Sequence, residues 1–165
     1  MKNVPTKIIV HHDGASRAGT SFDVINQYHK DKQFPLSSLG FFVGYHFLIE
    51  RDGSIRQARD VAEEGAHTVG ENTSSVGVCL AGNMDEELPT KEQIISLGGL
   101  LGELVQAHNI KPTHIYPHRK YAEKTCYGSL LPDWWARLVY KWAQANKDPH
   151  INSNIAETLW IILNA

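Results

Sequence analysis

Apolar residues fall along this chain in short runs of two different periods, separated by turn residues. Lys7-Ile8-Ile9-Val10-His11 is a β-branched run closed by polar residues and Gly14, the pattern of a strand inside a sheet. Thr20 or Ser21 can cap a helix over Phe22 to Lys32, with Phe22, Ile25, Tyr28 and His29 on one stripe. Gln33 to Phe42, with Pro35, two serines and Gly40, reads as a long loop. Val43 to Ile49 is a second strand, in which Tyr45, Phe47 and Ile49 share one face and His46 and Leu48 the other. Asp52-Gly53 is a hairpin turn, and Ser54 to Gln57 returns from it.

Arg59 to Asn72 is irregular, and Gly65-Ala66-His67 with Gly70 suggests a loop able to fold over a ligand. Ser75 to Leu80 is another buried strand, with Cys79 inside it as a small apolar residue. Thr90-Lys91-Glu92-Gln93, after Pro89, is a capping box. It opens a helix running to about His108, with Ile94, Leu97, Leu101, Leu104 and Val105 at core spacing. Gly98, Gly99 and Gly102 each cost that helix about 1 kcal/mol against alanine, and close packing on a sheet is the expected reason. Thr113 to Tyr116 is a further strand, and Asp133 to about Ala145, after Pro132, a further helix carrying Trp134, Trp135, Leu138 and Trp142. Alternating strands and helices with one hairpin predict an α/β fold: a single domain with a central mixed β-sheet of about five or six strands, flanked by helices.

The length suits one domain with a real core. With 16 Lys and Arg against 18 Asp and Glu, a net charge of −2 and no basic run, no nucleic-acid partner is expected. Two cysteines, few and far apart, fit reduced thiols or a metal ligand better than a disulfide. The start lacks an apolar signal core, so synthesis in the cytoplasm without a secretion signal is expected. The late run Leu159 to Leu163 is too short to span a bilayer.

The candidate chemistry centres on Tyr116 to Gly128. This loop places His118, Lys124 and Cys126 within nine residues, between Pro117 and Gly128. A neutral nitrogen ligand, a potential thiolate and a cation suit a divalent metal with a neighbouring oxyanion donor. His11, at the C-terminal end of the first strand, is the third candidate ligand, because ligands collect at that edge of an α/β sheet. His12 points to the opposite face and is not expected to share the metal. One zinc ion on His11, His118 and Cys126 would keep its fourth position open, with Tyr45 and Lys124 placed to serve an attacking water or an oxyanion. Two other readings stand beside it. One is a closed structural zinc site with His12, His46 or Asp13 as fourth ligand, and the other a Cys126–His118 nucleophile pair.

Several segments, in order, resemble the type 2 N-acetylmuramoyl-L-alanine amidases, the superfamily that also holds the peptidoglycan recognition proteins and the small phage amidase endolysins. They are Ile9 to His12, Val43 to Ile49 with Asp52-Gly53, Arg59-Asp60 with Gly65-Ala66-His67, Ser75 to Leu80 with Gly82-Asn83, and His118 to Gly128. The resemblance implies zinc bound by His11, His118 and Cys126, catalysis by Tyr45 and Lys124, and a substrate groove lined by His67. His46 resembles a strand histidine that is structural rather than a ligand.

It further implies that the muramoyl–L-alanine amide of bacterial peptidoglycan is cut by a monomeric, phage-type endolysin acting on the wall after release. A recognition module that only binds is the alternative, disfavoured because all three ligands are kept. A phage member of the family also regulates an RNA polymerase, on which these residues are silent. Two positions depart from the family's pattern: Tyr127 replaces the proline usual after the cysteine, and Lys120 replaces the aspartate common after His-Arg. Residues 1–146 are expected to form the catalytic domain. Residues 147–165 extend past the resemblance, with Asn154 able to cap a short helix there.

Overall fold

The computed structural model describes residues 2–15 and 21–145. The expected helix capped by Asn154 lies outside the described residues. Five strands, β1 (Lys7–His12), β2 (Phe47–Ile49), β3 (Ile55–Gln57), β4 (Ser75–Leu80) and β5 (Ile115–Pro117), form one sheet in the order β3-β2-β4-β1-β5. β1, β2 and β5 run parallel to their neighbours β4 or β1, and only the β2–β3 hairpin is antiparallel. The helices are α1 (Phe22–Asp31), α2 (Lys91–Ala107) and α3 (Trp135–Ala145). This is the expected mixed α/β sheet. None of the described helices is long and apolar enough to cross a membrane.

The central strands are buried on both faces, which is why β1 and β4 read as continuous apolar runs rather than alternating ones. Ile8, Val10, Phe47, Ile49, Val76, Val78 and Leu80 join α2 and α3 in the larger core. Leu48 and Cys79 join Phe22 and Ile25 of α1 in the smaller one. His11 follows Val10 and so turns to the α1 side, whereas His12 turns to the other. Both Cys79 and Cys126 are free thiols.

Local signals placed the helix starts. The Ser21 hydroxyl accepts from Val24 N on α1, and Thr90 and Gln93 form the reciprocal capping box on α2. Four expectations need correcting. Tyr28 does not belong to the buried stripe of α1; it is 58% exposed. The second strand begins only at Phe47, because Gly44 leaves the ladder to accept a hydrogen bond from Ala66 N. A Cβ on Gly44 would stand 2.3 Å from Ala66 O, so only glycine permits that approach. The third concerns the α2 glycines: Gly98 and Gly102 face α3 rather than the sheet, and a Cβ on Gly99 would meet open space. A Cβ on Gly98 would lie 2.7 Å from Ala143 Cβ, and one on Gly102 would meet the Gln144 amide.

The strand expected over Thr113 to Tyr116 is shifted. Pro112 starts a short 3-10 turn, Pro112–His114, and pairing begins only at Ile115. The chain then leaves the sheet at His118 through a second turn, His118–Lys120, which opens the loop carrying Lys124 and Cys126.

Candidate active site

All six residues singled out in the sequence line one cleft of about 300 Å³ on the α1 face, at the carboxyl ends of the parallel strands. His11 ends β1, His118 follows β5, and Cys126 and Lys124 come from the loop after it. Tyr45 precedes β2, and His67 comes from the long loop between β3 and β4. One ligand atom from each of His11, His118 and Cys126 lies within 4.8 Å of the others, and all three residues are buried.

The donor set fits zinc. Cys126 Sγ lies 3.8 Å from His11 Nδ1. A thiolate and an imidazole nitrogen sharing a tetrahedral zinc stand about 3.6 Å apart, from the usual bond lengths. Burial pushes the Cys126 thiol up to about 12. Burial, with Lys124 nearby, lowers His118 to about 4, and His11 is lowered well below its ordinary range by burial and then by His67. Without metal the cluster is therefore a neutral thiol and two neutral imidazoles. Such a pocket keeps protons off its nitrogens, and binding of a divalent cation to the sulfur would release the thiol proton to solvent. A protonated, buried thiol is also a poor nucleophile, which weakens the thiol-attack reading.

The three side chains considered as a fourth ligand are engaged elsewhere. His12 Nδ1 accepts from Met84 N, and Asp13 Oδ1 accepts from Gly82 N and Ala15 N. His46 is fully buried; its Nδ1 accepts from Gly77 N and its Nε2 donates to Glu63 O. His46 thus ties β4 to the long loop, a structural histidine.

The ligand loop is held from two sides. Arg119 donates to Asp133 and to the carbonyls of Thr125, Gly128 and Leu131. Asp85 accepts from the Thr125 hydroxyl and from Ser129 N. Gly128 has φ +112, and a Cβ there would fall 2.3 Å from Met84 Cβ, so the loop closes on Met84 only with glycine. The two departures from the family's pattern lie outside the cluster of His11, His118 and Cys126. Lys120 Nζ rests 3.3 Å over the Tyr116 ring, and Tyr127 is buried against Trp135 with its hydroxyl donating to Pro132 O. Tyr127 anchors the loop to α3 through packing.

Tyr45 stands beside His11, ring centroids 5.1 Å apart. Desolvation, then Cys79 and Cys126, raises its phenol well above the ordinary range. It therefore stays an O–H donor at any physiological pH. Lys124 is exposed at the cleft wall.

Sequence reasoning missed His29 as part of the site. Its Nδ1 accepts from Gly44 N, its ring stacks on Phe34 at 4.3 Å, and it lies 5.6 Å from the Tyr45 ring. It thereby holds the backbone that presents Tyr45. The residue was visible on the α1 stripe; the contact was not, since the long loop decides what covers it.

Burial lowers both His29 and His46 to about 4. Unfolded histidines titrate near about 6.5. Between these values the unfolded chain binds more protons, so stability is lost as pH falls from about 6.5 to about 4 and levels off below. The melting temperature of chelator-treated protein should drop across that window; a flat profile would contradict the buried neutral state.

A family model described as N-acetylmuramoyl-L-alanine amidase (Amidase_2) matches residues 1–129. The endolysin of Klebsiella phage KP32 is 34% identical over 143 residues, covering 82% of this chain and 89% of that protein. Peptidoglycan-recognition protein SC2 of Drosophila melanogaster is 30% identical over 133 residues, 79% of this chain and 72% of its own. Among solved structures, the N-acetylmuramoyl-L-alanine amidase LysC from Clostridium intestinale URNW superposes with a TM-score of 0.68 at 30% identity, over 76% of this chain and 78% of that one. Sheet order, ligand cluster and these matches agree, and the chain belongs to the N-acetylmuramoyl-L-alanine amidase family (Amidase_2).

Proposed function

We propose that this protein is a zinc-dependent amidase that cuts the bond between the N-acetylmuramic acid lactyl group and the L-alanine of the peptidoglycan stem, and that it works as a phage-type endolysin. One observation carries the reading: His11, His118 and Cys126 converge within 4.8 Å in the cleft that also holds Tyr45 and Lys124. His11, His118 and Cys126 would hold the ion. Zinc, when bound, supplies Lewis acidity and lets water ionise near neutral pH. The engagement of His12, Asp13 and His46 elsewhere supports an open fourth position over a closed structural site.

The protein's own groups do the rest. Tyr45, kept protonated, donates a hydrogen bond to the oxygen that gains charge as the amide carbonyl is attacked. Lys124 adds a cation at the same cleft and steadies that charge. His29 and Phe34 hold the strand entry that presents Tyr45. His67 lines the wall beside them. Residues 1–146 are the proposed catalytic domain, with 147–165 as an extension. The wall is the proposed substrate, reached after release from the cell in which the protein is made.

Likeness to an insect recognition protein favours a second reading, a module that only binds the wall. Digestion of purified peptidoglycan, with and without chelator and with mass analysis of the products, separates the two. Stem peptides beginning with free L-alanine, lost on chelation and restored by zinc, are expected. Binding without cleavage would support the module, and free reducing sugar ends would mean a glycosidase and overturn the amidase assignment.

A further inference from the structure

His67 has a geometry that a groove-lining residue does not need. Its ring is wedged between two glycines. A Cβ on Gly65 would come 2.5 Å from its Cδ2, and one on Gly77 would come 2.6 Å from its Cγ and Cδ2. Asn72 Oδ1 accepts from both His67 N and Thr68 N, which locks the backbone beneath the ring. His67 Nδ1 lies 3.1 Å from His11 Nε2, with the two rings edge to face. Its other nitrogen, Nε2, is buried with no hydrogen-bond partner among the described residues. A buried unpaired ring nitrogen costs stability. The protein accepts that cost while keeping Nδ1 against His11.

The tautomer gives the reason. His11 turns Nδ1 toward Cys126 Sγ and Nε2 toward His67 and Thr68. A neutral imidazole that binds metal through Nδ1 must carry its hydrogen on Nε2, and that hydrogen needs an acceptor. His67 Nδ1 is the nearer acceptor; the Thr68 hydroxyl lies 3.4 Å from His11 Nε2 and 3.0 Å from His67 Nδ1, beside both. His67 then carries its own hydrogen on the orphaned Nε2.

We propose that His67 is a positioning residue for the metal centre: by accepting the Nε2–H of His11, it fixes the tautomer and ring orientation that aim His11 Nδ1 at the ion. This rests on the zinc reading above and goes beyond the groove-lining role the resemblance implies. Partners of this kind typically contribute about 10- to 100-fold in metal affinity.

The test is zinc affinity in competition with a chromophoric chelator, alongside circular dichroism and melting of the metal-free proteins. His67→Phe keeps a ring in the glycine slot but offers no acceptor. It should bind zinc about 10- to 100-fold more weakly than the wild type while keeping the fold. His67→Asn can place its Oδ1 near the position of the histidine Nδ1 and should recover most of the loss. Should His67→Phe fail to fold, His67→Leu, smaller and equally without an acceptor, replaces it. Wild-type affinity in the variant lacking an acceptor overturns the proposal. So does an asparagine variant no better than the phenylalanine one, since packing alone would then account for the loss. A wild-type protein that takes up no zinc fails the metal reading itself, a result distinct from either.

Discussion

Cys126→Ser is expected to remove essentially all amidase activity and most zinc binding, and to leave the domain folded. Of the three proposed ligands, the cysteine alone can bring negative charge to a metal. Without it the site offers two neutral imidazoles and a hydroxyl, a poor zinc site. Losing a Lewis acid worth several kcal/mol of barrier corresponds to a fall in turnover on the order of 1000-fold or more. The fold should survive, because the larger core closes around Tyr127 and Trp135 rather than around the thiol. The loop itself is held by Arg119 and Asp85. Metal content by mass spectrometry, peptidoglycan digestion and circular dichroism on one preparation check all three parts. Full activity with stoichiometric zinc in this variant would remove Cys126 from the centre.

Lys124→Ala should lower turnover by about 100- to 1000-fold, the usual cost of losing one oxyanion donor, with zinc content unchanged. The side chain is exposed and lies two residues from the cysteine ligand without belonging to the ligand cluster. Surface truncations away from caps and cores change stability by about 0.5 kcal/mol or less, so the melting temperature should stay close to that of the wild type. The loss should fall on kcat more than on KM, because the charge that Lys124 meets develops only in the transition state. Turnover equal to that of the wild type would take Lys124 out of the mechanism. A loss of zinc along with activity would instead make it a support of the metal site.

The two variants probe different levels of legibility. Cys126, Lys124 and His118 share one loop, so their association could be read from spacing alone. His11 was readable because a buried strand ending in His-His presents its C-terminal edge, where open α/β sheets collect ligands. The choice between His11 and His12 was readable too, since strand side chains alternate. Tyr45 was readable as a polar residue on the neighbouring strand, whereas the groove role of His67 was reached only through the resemblance. His29 was placed on a helix stripe and went no further, because its partner Gly44 and its cover Phe34 lie beyond the helix.

What the sequence by itself determined is what local periodicity and capping chemistry can encode. This includes buried β1 and β4, the Asp52-Gly53 turn, the Thr90–Gln93 box that starts α2, and the class of the fold. Each depends on neighbours a few residues away, whose geometry the backbone period sets directly. Tertiary structure alone decided that Gly98 and Gly102 of α2 meet α3, that the chain bends out of the ladder at Gly44, and that Lys120 lies on Tyr116. It also decided which nitrogen of His11 faces the cysteine. That choice depends on His67, 56 residues along the chain, and on two glycines that leave its ring just enough room. Nothing in the spacing of residues can state such a contact, because it exists only once the sheet has brought the two loops together.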